Sequence, residues 1–379
     1  MQQRSASIAA PEKIHALTSL RFFAALYVVL FHTLPSTFPS LVQNQIFANI
    51  MYRGHVSVSF FFLLSGYILA VVYLKPGKTV NNRSFWVARF ARVYPLFFLT
   101  LVADTPFLFL QRLHQYGFGS AIAKTSVTFL GTAAMLQAWV TAFKGINNPN
   151  WSLSVETFFY LTFPFVGVAL WKLKGTRLWL TAFSIWVVSL GAVYFCVSWM
   201  LIVSVLQNPA LHLGTFCLGI LLARWQALEQ QKQGISPRTN TTIALALLAA
   251  LALFVSAAEF LPPVFVPYLN NGMLAPVFML VVWAFSANHG LPAKVISPKW
   301  LVVLGEASFG LYLIHVPVDH VFMALHLSGN KVAYPFYLGT CIGLSVLSFY
   351  FVETPTRRWI LRKLKTRTKE TMEMASDAQ

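Results

Sequence analysis

Charge is the scarcest commodity in this 379-residue chain: 10% of its residues are charged, with 11 Asp and Glu against 28 Lys and Arg, for a formal net charge of +17. Hydrophobic residues make up 57%. Such a chain cannot cover a soluble surface, so it reads as a polytopic membrane protein. The basic excess does not mark a nucleic-acid binder. Its residues sit in short gaps between apolar runs, where the positive-inside rule and lipid headgroups account for them, and no nucleic-acid partner is expected. Cysteine is equally sparse: Cys196, Cys217 and Cys341 lie inside apolar runs at no metal-ligand spacing, which leaves helix packing as their role and no metal as a cofactor. P-loop, GxSxG and HExxH signatures are also missing. No small-residue cleavage pattern follows the first apolar run, so no cleavable signal is expected.

What the sequence does contain is length in its apolar runs. Stretches able to span a bilayer fall near 17–35, 56–74, 93–110, 152–171, 178–200, 209–225, 241–259, 272–288, 301–320 and 335–352, giving an all-α protein of about ten transmembrane helices. An eleventh candidate, 125–143, is richer in Thr and Gly. If 125–143 does not cross and the N-terminus is cytoplasmic, only Arg53, Arg112, Lys124, Lys144 and Lys331 lie outside, with Arg21 within a helix and the other basic residues inside. Letting it cross puts most of them outside. The positive-inside rule therefore predicts both termini in the cytoplasm and 125–143 as a re-entrant or interfacial segment. The domain division that follows is a transmembrane domain over 1–355 and a basic cytoplasmic tail over 356–379, whose RRWILRKLKTRTK run suits anionic membrane lipid.

The first run, LTSLRFFAALYVVLFHTLP, carries Arg21 and His32. Eleven residues of helix bring both side chains to one face, about 16 Å apart along the axis. Ionisable groups at hydrocarbon depth are costly unless they face a cavity or a partner, so this pair is read as a functional site. Arg89 and Arg92, three residues apart at the start of the third run, share a helix face and lie at the same cytoplasmic edge as Arg21. They suit either membrane anchoring or a polyphosphate, which guanidinium groups bind bidentately. Glu156 is a rare intramembrane acid. Together with Asp104, and with Asp319 as a further candidate, it stands at the depth of His32, where a carboxylate would hold the imidazole in one tautomer.

Other residues read more plainly. Trp151 suits an aromatic belt, Ser65 and Gly66 suit close helix packing, and Tyr312 and His315, one turn apart in the ninth run, suit helix-to-helix hydrogen bonding.

Taken in order, these pieces resemble the integral-membrane acyltransferase family 3, which includes polysaccharide O-acetyltransferases. The resemblance spans nearly the whole chain: Arg21 and His32 separated by ten residues, FFxLSGY from Phe61 to Tyr67, RxxR at Arg89 and Arg92, NPxWSLSVE from Asn148 to Glu156, and SFGLYLIHVP from Ser308 to Pro317. It implies transfer of an acyl group, usually acetyl, from cytoplasmic acyl-coenzyme A (here acetyl-CoA) to a hydroxyl of a glycan or lipid-linked sugar, in the cell inner membrane. It also implies His32 with Arg21 as the signature pair, Arg89 and Arg92 serving the donor, and Glu156 supporting catalysis. Some members append an extracytoplasmic hydrolase-like domain. This chain ends soon after its tenth run and is expected to act alone or with a separate partner.

The chemistry fits the residues: an alcohol acceptor needs a base, and histidine is the ordinary one. His32 is the expected base, with Glu156, or failing it Asp104, orienting it. A covalent acyl-His32 route uses the same residues. Two other readings stay open: acylation of a small hydrophobic natural product, and a secondary transporter. The second is disfavoured because the signatures between Arg21 and Glu156 have no repeat in the second half. Homo-oligomerisation is left open.

Overall fold

The computed structural model describes residues 14–75, 77, 79–199, 205–229, 242, 245–247, 249, 265–286 and 294–364, and every regular element among them is helical. Nine helical stretches of the described residues are long and apolar enough to cross a membrane. They correspond to nine of the ten apolar runs. The remaining one, 241–259, falls largely outside the described residues.

The bundle is assembled through small residues. Helix α1 (His15–Thr37) packs along α11 (Lys299–Ala324), where a Cβ on Gly305 would lie 2.1 Å from the Thr18 carbonyl oxygen. Helix α2 (Gln45–Tyr52) leads into α3 (Val56–Tyr73), which packs against α8 (Pro209–Glu229). There a Cβ on Gly66 would meet the Phe216 carbonyl oxygen at 2.0 Å, and one on Gly219 would meet that of Leu63 at 2.0 Å. Lipid supplies no hydrophobic drive between helices, so such close backbone approach is what holds them.

Helix α4 (Asn82–Tyr116) is 35 residues long and contains Pro95 and Pro106. Gly117, at φ 76°, turns the chain straight into α5 (Phe118–Ala133), which packs back along α4. At 16 residues, α5 is shorter than the roughly 20 that a span requires. The segment expected at 125–143 is thus helical from Phe118, seven residues before the predicted start, and becomes irregular after Ala133. Its irregular return is buried only in part: Gln137 and Ala138, with Ile146 and Asn147 beyond them, are buried, whereas Leu136, Trp139 and Val140 are exposed. Gln137 Nε2 donates to the Asn150 carbonyl at 2.7 Å.

Helix α6 (Trp151–Trp171) follows, then α7 (Gly175–Ser198), with α8 after it. The stretch predicted over 272–288 begins earlier, as α9 (Val266–Asn270), breaks at Gly272, where φ is 98°, and resumes as α10 (Ala275–Ser286). Helix α12 (Tyr334–Ser348) passes through a π-helical turn over Phe349–Glu353 and continues as helix to residue 364.

Candidate active site

A cavity of about 180 Å³ opens between α1, α3, α4, α6 and α11. Its walls carry Arg21 from α1, Arg89 and Arg92 from α4, Ser65 from α3, Glu156 and Tyr160 from α6, and Tyr312 from α11. The first three are the arginines the sequence reading placed at one level, here sharing a single lining with Glu156.

Each guanidinium is held differently. Arg92 forms an ion pair with Glu353 from the π-helical turn, its second nitrogen reaches the Glu306 carbonyl at 3.5 Å, and its plane lies 5.5 Å from the Phe309 ring. Arg89 donates to the Tyr73 hydroxyl at 3.0 Å and lies 5.3 Å from that ring, while its Nε is buried without a hydrogen-bond partner. Arg21 lines the cavity and interacts electrostatically with Arg92, Glu306, Glu156 and Glu353. The cavity lining itself thus holds three guanidiniums and one carboxylate, Glu156, with Glu306 and Glu353 behind the arginines.

Glu156 accepts from the Tyr160 hydroxyl and from Ser65 Oγ, the latter at 3.3 Å. Ser65, read from sequence as a packing residue, thus lines the site, while its neighbour Gly66 does the packing. At the far end of the lining, Tyr312 donates to the Pro149 carbonyl at 2.8 Å and exchanges a hydrogen bond with Ser152 Oγ at 2.8 Å.

His32 has a different setting from the one predicted. Its Nδ1 lies 3.3 Å from Nε2 of His315, and the two rings stack with centroids 5.3 Å apart at 25°. His315 is fully buried, its ring centroid is 6.2 Å from that of Tyr312, and its carbonyl accepts from Tyr337 at 3.0 Å. His32 itself is exposed and is not among the residues that line the arginine cavity. Tyr312 borders both, as a wall of the cavity and a neighbour of His315.

The carboxylate expected behind His32 is elsewhere. Glu156 is engaged with Ser65 and Tyr160, and Asp104 accepts from the Asn147 backbone N–H at 2.6 Å and pairs with His320 Nδ1 at 2.6 Å. Asp104 therefore ties α4 to α11 and to the loop before α6 rather than orienting His32. Trp151 packs against Phe62 and His212, with centroids 6.1 and 5.6 Å away, and does not line the cavity. Tyr160 and Glu353 escaped the sequence reading. Tyr160 sits one turn after Glu156, a spacing that could have revealed it. Among the described residues, no group of three or more His, Cys, Asp or Glu could hold a metal ion.

A membrane helix bundle with an arginine-lined internal cavity and a histidine pair defines the class, and comparison with known proteins supplies the family. Residues 14–351 match the acyltransferase domain of acyltransferase family 3, and the chain belongs to that family. It is 30% identical over 346 residues to the acyltransferase MdmB of Streptomyces mycarofaciens, covering 85% of this chain and 82% of the relative. It is 27% identical over 384 residues to YrhL of Bacillus subtilis, a putative peptidoglycan O-acetyltransferase, covering 93% of this chain and 56% of the relative. To the O-acetyltransferase OatA of Staphylococcus aureus it is 23% identical over 370 residues, covering 92% and 58%. The chain thus spans a little over half the length of the last two. No solved structure matches it. This is a multi-pass membrane protein and an O-acyltransferase.

Proposed function

We propose that the chain transfers an acetyl group from acetyl-coenzyme A to a hydroxyl of a surface or exported glycan, in the cell inner membrane with its basic end in the cytoplasm. The observation that carries this reading is the meeting of Arg21, Arg89 and Arg92 from two helices on one cavity. A cluster of guanidiniums at the mouth of a largely apolar cleft is suited to the phosphates of coenzyme A, with the thioester arm directed inward. The relative named as a putative peptidoglycan O-acetyltransferase supports a glycan acceptor.

In this reading His32 is the general base. Its Nδ1 faces His315, so Nε2 is the atom left to take a proton, which requires Nδ1–H to donate to Nε2 of His315. The acceptor oxygen forms a bond to the thioester carbonyl carbon, its proton passes to His32, and the carbon–sulfur bond breaks to leave coenzyme A thiolate. The proton then returns to the thiolate. His315 takes the orienting place that a carboxylate holds in other base pairs, and Glu156, fixed by Tyr160 and Ser65, shapes the donor cavity.

Purified protein given labelled acetyl-coenzyme A and cell-wall glycan tests the reading. Label should enter the glycan as an ester. His32→Ala should abolish transfer while coenzyme A binding persists, and Arg89→Ala should chiefly weaken donor binding. Near-normal turnover by His32→Ala would overturn the assignment of the base.

A further inference from the structure

Two facing helices extend the cation cluster beyond the cavity. Helix α4 runs from Arg92 to Asp104, which meets His320 near the end of α11. Helix α12 runs the opposite way, from Tyr334, hydrogen-bonded to Thr33 near the end of α1, to the π-helical turn in which Glu353 meets Arg92. The helices are therefore antiparallel, and the Arg92–Glu353 pair fixes their register. One turn beyond Glu353 is Arg357, and one turn before Arg92 is Arg89. Residues three and four apart share a helix face, so Arg357 and Arg89 stand at one level on the two helices, one turn beyond the Arg92–Glu353 pair.

Arg357 interacts electrostatically with Arg92 and Arg89, both of like charge, then with Tyr73, the residue that holds Arg89, and with Glu306, which also serves Arg21. Neither Arg357 nor Arg89 has a carboxylate ion pair among the described residues. Like charges brought together on packed helices oppose folding unless an anion lies between them. Arg357 is exposed, so an anion can reach it, and Arg89 Nε is buried and unpaired.

We propose that Arg357 and Arg89 form a phosphate clamp at the mouth of the arginine cavity, which takes a phosphate of the nucleotide acyl donor or of a phospholipid headgroup. Its donor arm rests on the donor reading above; its lipid arm does not. The clamp would add a second anion contact outside the cavity, leaving Arg21 and Arg92 for the phosphates nearer the thioester.

The full-length protein in nanodiscs tests it, with coenzyme A binding measured by calorimetry and KM measured for acetyl-coenzyme A and for acetyl-pantetheine, which lacks the nucleotide phosphates. In uncharged phosphatidylcholine discs, Arg357→Gln should weaken coenzyme A binding about tenfold or more and raise KM for acetyl-coenzyme A alike. KM for acetyl-pantetheine should not move. Arg357→Lys, which keeps the charge and guards against a folding defect, should fall between wild type and Arg357→Gln. Arg358→Gln should match wild type.

Loss of phosphatidylglycerol retention by Arg357→Gln, with coenzyme A binding intact, would assign the clamp to a lipid headgroup. Unchanged binding of both ligands would overturn the proposal. A wild type that binds no coenzyme A would end the donor reading instead, leaving the lipid arm to decide whether the clamp exists.

Discussion

His32 and His315 approach each other at 3.3 Å from two helices that are adjacent in space and 283 residues apart in sequence. A buried imidazole that touches an exposed one can fix the latter's rotamer and tautomer as a carboxylate would. His315→Ala is therefore expected to lower kcat about tenfold to a hundredfold with KM for the donor unchanged. His315→Gln, which keeps a hydrogen-bonding atom at that depth, should recover part of the loss. Steady-state kinetics in reconstituted membranes decide the matter: a rise in KM with unchanged kcat would assign His315 to binding instead.

Arg92 and Glu353 make a largely buried ion pair, with side-chain exposures of 17% and 1%. Removing one partner of such a pair leaves an uncompensated charge and costs about 3–5 kcal/mol, whereas replacing both by apolar residues is often neutral. Glu353→Gln should thus lower the melting temperature in detergent clearly, and the double variant Arg92→Met, Glu353→Leu should recover most of it while losing donor affinity. Equal destabilisation by the single and double changes would show that the pair is not an isolated unit.

Local periodicity made part of this site readable and left the rest hidden. The spacing of Arg21 to His32 and of Arg89 to Arg92 is a property of single helices, so their shared faces follow from 100° per residue. The companions of His32 and Arg92 come from helices hundreds of residues away, and no period in the sequence encodes that pairing. Glu353 was missed for a simpler reason. It falls one residue beyond the last apolar run, where an acid reads as a helix end rather than as an intramembrane partner. Gly66 and Ser65 show the limit at finer grain: neighbouring small residues in one apolar run face different ways, one into the α3–α8 contact and the other into the cavity.

Asp104 offers a check on which carboxylate belongs to the chemistry. It is 1% exposed, and its two oxygens are taken by His320 and the Asn147 amide, the latter residue at φ 45°. Asn in place of Asp104 keeps the shape but weakens a charge-assisted bond, at about 1–3 kcal/mol. Asp104→Asn should lower thermal stability and leave the donor KM alone. A loss of kcat at full stability would return Asp104 to the catalytic machinery.

The contact between α3 and α8 brings the cavity wall and the bundle core onto one helix. Phe62, Ser65 and Gly66 lie within five residues; Gly66 touches the Phe216 backbone, while Phe62 and Ser65 line the cavity. Any side chain at Gly66 must push the helices apart, because the atom it meets is a carbonyl oxygen with no flexible end to give way. Gly66→Val is therefore expected to abolish monodisperse elution in detergent or, if the protein survives, to widen the cavity and cut turnover by moving Ser65 away from Glu156. Gly191→Val, in α7, where an added Cβ meets nothing within 4 Å, is the matched control and should elute and turn over as wild type. If Gly66→Val elutes and turns over normally, α3 and α8 are not packed as described, and the assignment of Ser65 to the cavity falls with that packing.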